Sequence, residues 1–336
     1  MDFSEKITRL KITVMLELAE VLEFTGDWQR CEDTRRESLA AAESMGNERL
    51  MGRASEAIGW ILGRKCDYDA ALPYYQNAIA LLESANDIAG IVNAAKGLGV
   101  VLYYRGEYAE ALKSYEKSLK YAKEVDDKLG RDKVINNIGD LYRTKGEYEI
   151  AMEYFDRAIQ SEEILSAKWD LAIAIGNKGL VYFSTGDYDS ALECYNRSIS
   201  LARDVGSKYI RTYFSVEKAN LLYAQERYNA ALSILKKSVK TAEEIGNREY
   251  IFKGNLLLGK TLFALGEDAG TLRLYEMLEN TDDPEEMAPL NYELWKMTGK
   301  EIHKTKSFQL YEELSENISN IDYINRLEEL RQCKSE

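Results

Sequence analysis

Histidine is nearly missing: His303 is the only one in 336 residues. That leaves almost no material for a Ser-His-Asp triad, a His-rich zinc site or HExxH chemistry. Four cysteines stand at 31, 66, 194 and 333. None form a CxxC pair, which excludes a zinc ribbon and a thioredoxin-like motif. Such sparse cysteines suit a reducing compartment, with Cys31 and Cys194 as packing residues. Only three prolines occur, Pro73, Pro284 and Pro289, against a usual share of ~5%. The chain therefore expects long helices with few breaks. Apolar runs such as Leu98 to Tyr104 are far short of the ~20 residues of a membrane span. The first twenty residues alternate charge with apolar side chains and carry no signal-peptide core. The reading is cytoplasmic, with no membrane.

The charge balance excludes a further class. Lys plus Arg is 44 and Asp plus Glu is 57, a net charge of -13. An acidic surface repels phosphate backbones, so no nucleic acid is expected as partner. The apolar share of 45% and charged share of 30% fit a folded globular chain. Length alone allows one to three domains.

What is present is a period of forty. Gly106-Glu107-Tyr108, Gly146-Glu147-Tyr148 and Gly186-Asp187-Tyr188 are successive copies of one string. The aromatic column reads Trp28, Tyr68, Tyr108, Tyr148, Tyr188, Tyr228, Asp268 and Phe308. Three residues on, Cys31, Ala71, Ala111, Ala151, Ala191 and Ala231 are small. Upstream, Ala19, Gly59, Gly99, Gly139, Gly179, Ala219, Gly259 and Gly299 form a second small column. The register holds through eight units without an insertion. Each unit reads as two helices. In the fourth, Val134, Ile135, Ile138, Leu141 and Tyr142 have helical spacing, and Gly146 ends the first helix. An acid then opens the second helix and, as Asp, caps it. Ala151, Phe155, Ala158 and Ile159 mark that helix's buried stripe. Pro73 falls inside the second helix of unit two and is expected to kink or shorten it. Unit one carries Arg35 at an aromatic place, and unit seven diverges at Asp268 and Thr271 before the turn Thr281-Asp282-Asp283-Pro284. One last helix is expected to run through Leu310, Leu314, Ile318, Ile321, Leu327 and Leu330 as a solvent-facing lid.

Ile138-Gly139, Tyr142, Gly146-Glu147-Tyr148, Ala151, Phe155 and Ala158 resemble the tetratricopeptide repeat. The period departs from that family, 40 residues rather than 34, which is similar to the long repeats of kinesin light chains, Leu-Gly-Asn-repeat proteins and bacterial peptide-responsive regulators. The resemblance implies an all-α fold, a right-handed α-solenoid (superhelix) of about eight helix-turn-helix units. One solenoid would fill residues 1–336, with regular repeats over 8–265 and divergent repeats plus a capping helix over 266–336. It also implies a concave groove lined by the first helix, helix A, of each unit. In unit four those places hold Lys133, Asn136, Asn137, Asp140, Arg143 and Thr144. Unit three supplies Asn93, Lys96, Tyr103 and Tyr104, unit five Asn177 and Phe183, and unit six Tyr213, Asn220 and Tyr223.

Asparagine amides both donate and accept, which suits the backbone of an extended peptide. Lys96, Lys133 and Arg143 give a local positive bias, and Tyr103, Phe183 and Tyr223 an aromatic ledge. The expected partner is a protein or peptide, acidic with apolar anchors. Each group also has a bland role: an amide bonded to the next repeat, a solvated cation, a packed ring. Gly97-Leu98-Gly99 lacks the rest of a phosphate loop and reads as packing. The expected function is a non-catalytic scaffold without a cofactor. The alternative is a peptide-responsive sensor whose superhelix changes pitch on binding. An enzyme is disfavoured by the residue inventory.

Overall fold

The computed structural model describes residues 3–25, 28–65, 67–317 and 320–332. Cys66, Ile318 and Cys333 lie outside the described residues, as does the side chain of Trp28. Among the described residues there are seventeen helices and no strand. They are α1 (Phe3–Thr25), α2 (Trp28–Ser44), α3 (Glu48–Arg64), α4 (Tyr68–Ser84), α5 (Ile88–Tyr104), α6 (Tyr108–Glu124) and α7 (Lys128–Thr144). Then come α8 (Tyr148–Leu165), α9 (Lys168–Ser184), α10 (Tyr188–Asp204), α11 (Lys208–Ala224) and α12 (Tyr228–Ile245). The last five are α13 (Arg248–Ala264), α14 (Ala269–Glu279), α15 (Pro284–Thr298), α16 (Glu301–Asn317) and α17 (Ile321–Gln332). Consecutive helices pack on one another from α1 to α6 and from α8 to α17, the arrangement of an all-α solenoid. No described helix is long and apolar enough to cross a membrane. The chain divides into two compact units, Met1–Ile138 and Gly139–Glu336.

The forty-residue period has a physical origin. Most repeat helices are 17 residues long and most links are three residues. The middle link residue is left-handed every twenty positions, as at Gly106 (φ 76), Asp126 (φ 52), Gly146 (φ 79), Ser166 (φ 55) and Gly186 (φ 83). That conformation lets the link close the preceding helix: the Glu147 amide donates to the Tyr142 carbonyl at 2.9 Å, and the Gly146 amide to Arg143 at 2.9 Å. Asp67, Asp87 and Asp187 then cap the following helices through their side chains, whereas Glu107 and Glu147 do not. The extra methylene of glutamate puts its oxygens out of place for the cap.

Within the middle pairs a ring meets a missing side chain. A β-carbon placed on Gly99 would stand 2.4 Å from the Tyr115 ring, and one on Gly139 2.8 Å from Phe155. Tyr115, Phe155 and Tyr195 are fully buried there, each stabilising its unit by roughly 1.5–3 kcal/mol of burial. Gly97-Leu98-Gly99 is thus a packing element. Serines add a second tie: Ser118 Oγ donates to the Val92 carbonyl at 2.8 Å, and Ser198 Oγ to Ala172 at 2.6 Å.

Three irregularities resolve differently from expectation. Pro73 does not shorten α4, which keeps the 17 residues of its neighbours. It sits one turn into the helix, where its missing amide forfeits a single ladder bond. Arg35 is buried in place of an aromatic; it donates to the Ala57 carbonyl at 2.9 Å and lies 5.0 Å from the centre of the Trp60 ring. The expected last helix is two helices, α16 and α17. The Asn320 side chain accepts from the Asp322 amide at 2.8 Å and starts α17 anew. Leu327 and Leu330 are buried against Ala288, Tyr292, Leu310 and Tyr311, so α17 is packed on the fold and does not face solvent on both sides.

Candidate functional site

The first unit holds six of the residues expected to line a groove. Asn93 is exposed and accepts a 3.2 Å bond from Lys96. Tyr103 is half-buried, its ring 5.2 Å from Tyr104 and 5.7 Å from Tyr108. Asn136 is buried, and Lys133 and Asn137 are half-buried beside it on α7.

The second unit holds the other seven. Asp140 and Arg143 pair at 2.7 Å one turn apart, which offsets the positive bias expected at Arg143. Asn177 is buried on α9. The Phe183 ring lies 5.7 Å from Tyr188 and belongs to the core of its repeat. Tyr213 stacks on Tyr250 at 5.2 Å. Asn220 and Tyr223 are half-buried on α11. Tyr223 lies 5.3 Å from Tyr228, and the Lys260 ammonium lies 5.1 Å from its ring centre.

Charges from four helices converge near Tyr213. Glu217 of α11 feels Lys253 of α13, Arg143 at the end of α7, and the like charges of Glu249 and Asp322. Burial raises its carboxyl above the usual range, against the two cations. Burial would lower the Lys253 ammonium, but Glu249 at 2.6 Å and Glu217 hold it up. Lys253 nevertheless keeps 45% of its side chain open. Lys253 and the half-buried Glu217 thus carry opposite charges on neighbouring helices α13 and α11.

α17 borders this cluster, with Asp322 near enough for its charge to act on Glu217. Ile321 packs at Gly146, where a β-carbon would stand 3.1 Å from its Cγ1. Farther along, Arg326 lies 4.3 Å above the Tyr292 ring and pairs with Glu329 at 3.3 Å. Glu329 also holds Lys296 at 3.1 Å. Between α17 and the face of α11, α13 and α15 is a cleft of about 380 Å³. Its walls are Tyr223, Lys260, Phe263, Tyr292, Lys296 and Arg326, with Glu293, Met297 and Glu329 completing them. Lys260 and Glu293 pair there at 2.8 Å, mostly shielded from solvent. Three cations, two carboxylates and three rings suit a polar chain segment with a few apolar anchors better than an apolar small molecule.

Several of these groups extend columns already visible in the sequence. Glu217 continues the Asn137 and Asn177 column, Lys253 the Lys133 and Tyr213 column, and Phe263 the Arg143 column. The divergence of unit seven lies in its second helix, so its first helix still carries the register. Arg326 and Glu329 had no column to announce them.

Comparison with known proteins bears on the fold. The tetratricopeptide repeat family matches residues 11–84, 90–163 and 170–244, more than half of the chain. No curated protein sequence matches it. Among solved structures, NprR in complex with its cognate peptide NprX is similar at TM-score 0.70 and 16% identity, over 94% of this chain and 88% of that one. Aspartyl phosphate phosphatase F from Bacillus subtilis is similar at TM-score 0.60 and 15% identity, over 96% and 94%. A signal transduction ATPase with a tetratricopeptide repeat sensor from Pyrococcus horikoshii is similar at TM-score 0.56 and 18% identity. This chain covers 42% of that one, and 79% of its own length takes part. At these identities the likeness is one of fold.

Proposed function

Because this chain belongs to the tetratricopeptide repeat family, we propose that it is a non-catalytic scaffold that takes up a peptide, or an extended segment of a protein partner, on its helix-A faces. The observation that carries this reading is the cleft walled by Tyr223, Lys260, Phe263, Tyr292, Lys296 and Arg326. Acidic groups of the peptide compete with Glu329 and Glu293 for the cations, and apolar anchors lie on the rings. Asp140, Arg143, Asn177, Phe183, Tyr213 and Asn220 flank the same face of the second unit. Asn93, Lys96, Tyr103, Lys133, Asn136 and Asn137 give the first unit a contact surface of its own. The peptide bound by NprR supports the ligand class. The phosphatase of the same fold supplies the contrary possibility.

A second reading, a peptide-responsive sensor, is favoured by the place of α17. It lies on the face a peptide would use, so a bound peptide shifts α17 and the fold reports its arrival.

The test is binding of labelled short peptides, graded in acidity and apolar content, by fluorescence anisotropy. Acidic peptides with apolar anchors should bind. Lys260→Glu combined with Arg326→Glu should abolish binding while the helical circular dichroism stays. Equal binding by that variant would sink the reading. The sensor reading requires a change in radius of gyration on adding a bound peptide.

A further inference from the structure

α1 buries one side and leaves the other bare. Ile12, Ala19 and Leu22 are buried against α2 and α3. On the opposite side Ile7, Leu10, Val14, Leu18 and Val21 are 44–65% exposed. Their spacing is helical, so they form one apolar stripe along the helix.

The stripe has a structural meaning. Forty residues on, the same register positions in α3 are Leu50, Ala54, Ile58 and Ile61, all buried. Eighty residues on, Gly90, Ala94 and Val101 of α5 are buried too. It is the stacking face of helix A, which a preceding helix covers in later repeats. A stacking face that stays in water needs polar side chains. α1 instead presents large apolar side chains there, the mark of a contact surface.

The sequence of the stripe selects its occupant. Val14 is its centre: Leu10 and Leu18 lie four residues to either side, and Ile7 and Val21 seven. Read backward, the stripe has the same spacing. The charges reverse about the same point. Within α1, Lys6, Arg9 and Lys11 precede Val14 together with one acid, Glu5, whereas Glu17, Glu20 and Glu23 follow it with no base. Lys11 and Glu17 are three residues to either side of the centre. Two copies of α1 laid antiparallel across a two-fold axis at Val14 therefore bring each aliphatic side chain of the stripe opposite another, with Lys11 opposite Glu17.

We propose that this protein self-associates through α1, as an antiparallel pair with Val14 on the two-fold axis. The contact is isologous, so it closes as a dimer and does not propagate. Leu10 of one copy meets Leu18 of the other, Ile7 meets Val21, and Lys11 faces Glu17. Ten half-exposed side chains and their flanks bury roughly 1,000 Å², the lower bound for a stable protein interface.

The test is the mass of the full chain in solution by light scattering and sedimentation over a concentration series. The unmodified protein should reach twice the chain mass. Val14→Glu places two carboxylates on the axis and should halve that mass, with unchanged helical circular dichroism because Val14 is exposed in the single chain. Lys11→Glu alone and Glu17→Lys alone should each weaken the pair, and the two together should restore it. With the four native cysteines changed to serine, Val14→Cys should cross-link to itself under oxidation. Ile7→Cys should cross-link only when Val21→Cys is also present. A single-chain mass at every concentration overturns the proposal and leaves the stripe to another occupant, such as a preceding chain segment. A dimer indifferent to Val14→Glu, or self-cross-linking at Ile7 alone, overturns it as well.

Discussion

The ring of Phe214 lies where Gly176 has no side chain. A β-carbon on Gly176 would stand 2.1 Å from the ring's Cζ. Gly176 is on α9 and Phe214 on α11, so this contact ties one repeat to the next. Phe214 is fully buried and cannot swing into solvent. Gly176→Ala should therefore destabilise the second unit by about 1–3 kcal/mol through overpacking. Urea unfolding checks the value. Pairing it with Phe214→Leu should recover part of the loss, because the two sites share one space. Equal losses that simply add would contradict the contact.

Asp87 ties α3 to α5 through Arg53 at 2.6 Å and Arg49 at 2.9 Å. Burial alone would raise its carboxyl, but hydrogen bonds from the two arginines outweigh this and hold it at about 2, against 3.8 for a free aspartate. A depressed carboxyl contributes stability above the unfolded value and loses it as pH falls through the folded one. Asp87→Asn should cost about 1–2 kcal/mol near neutral pH, after allowance for the half-exposed arginines. The gap between the two proteins should narrow below pH 4 and close only as pH falls through about 2. A gap constant with pH would argue that the loss comes from packing.

Cys194 is half-buried on α10, and burial pushes its thiol up to about 11 against the pull of Lys178. Two units less thiolate imply alkylation about a hundredfold slower than for a free cysteine at pH 8. Mass spectrometry of iodoacetamide adducts, in a chain whose other cysteines are serine, reads the rate. Rapid labelling in the folded protein would refute the assignment.

His303 bonds to Asn291 Oδ1 at 2.8 Å and to the Tyr275 hydroxyl at 3.2 Å. Burial, aided by Lys300, lowers its pKa below 6.5. The folded chain resists protonation there, so this group favours folding above pH 6.5 and weakens it as pH drops. As the only histidine in the chain, it gives a single imidazole signal by NMR. Its midpoint should fall below that of the unfolded chain.

Most of the fold was written in the columns. Gly99, Gly139 and Gly179 announced the rings they accommodate, and the links announced the helix ends. The break before α17 was also written, in Ser319-Asn320 ahead of Asp322, but the apolar spacing continued across it and masked the signal. The site was less legible for a different reason. Arg143, Glu217, Lys253 and Asp322 are far apart in sequence, and their electrostatics depend on which helices meet. The helix-A columns gave positions, whereas Asp140 beside Arg143 and Glu293 beside Lys260 decide how much charge is left for a ligand.

The link residue that turns left-handed every twenty positions fixes how this molecule can grow. One residue added inside a helix would rotate every later side chain of that helix by about 100°. Ring and glycine would then point past each other. Length can change only in whole hairpins, so the size of such a chain is counted in steps rather than tuned.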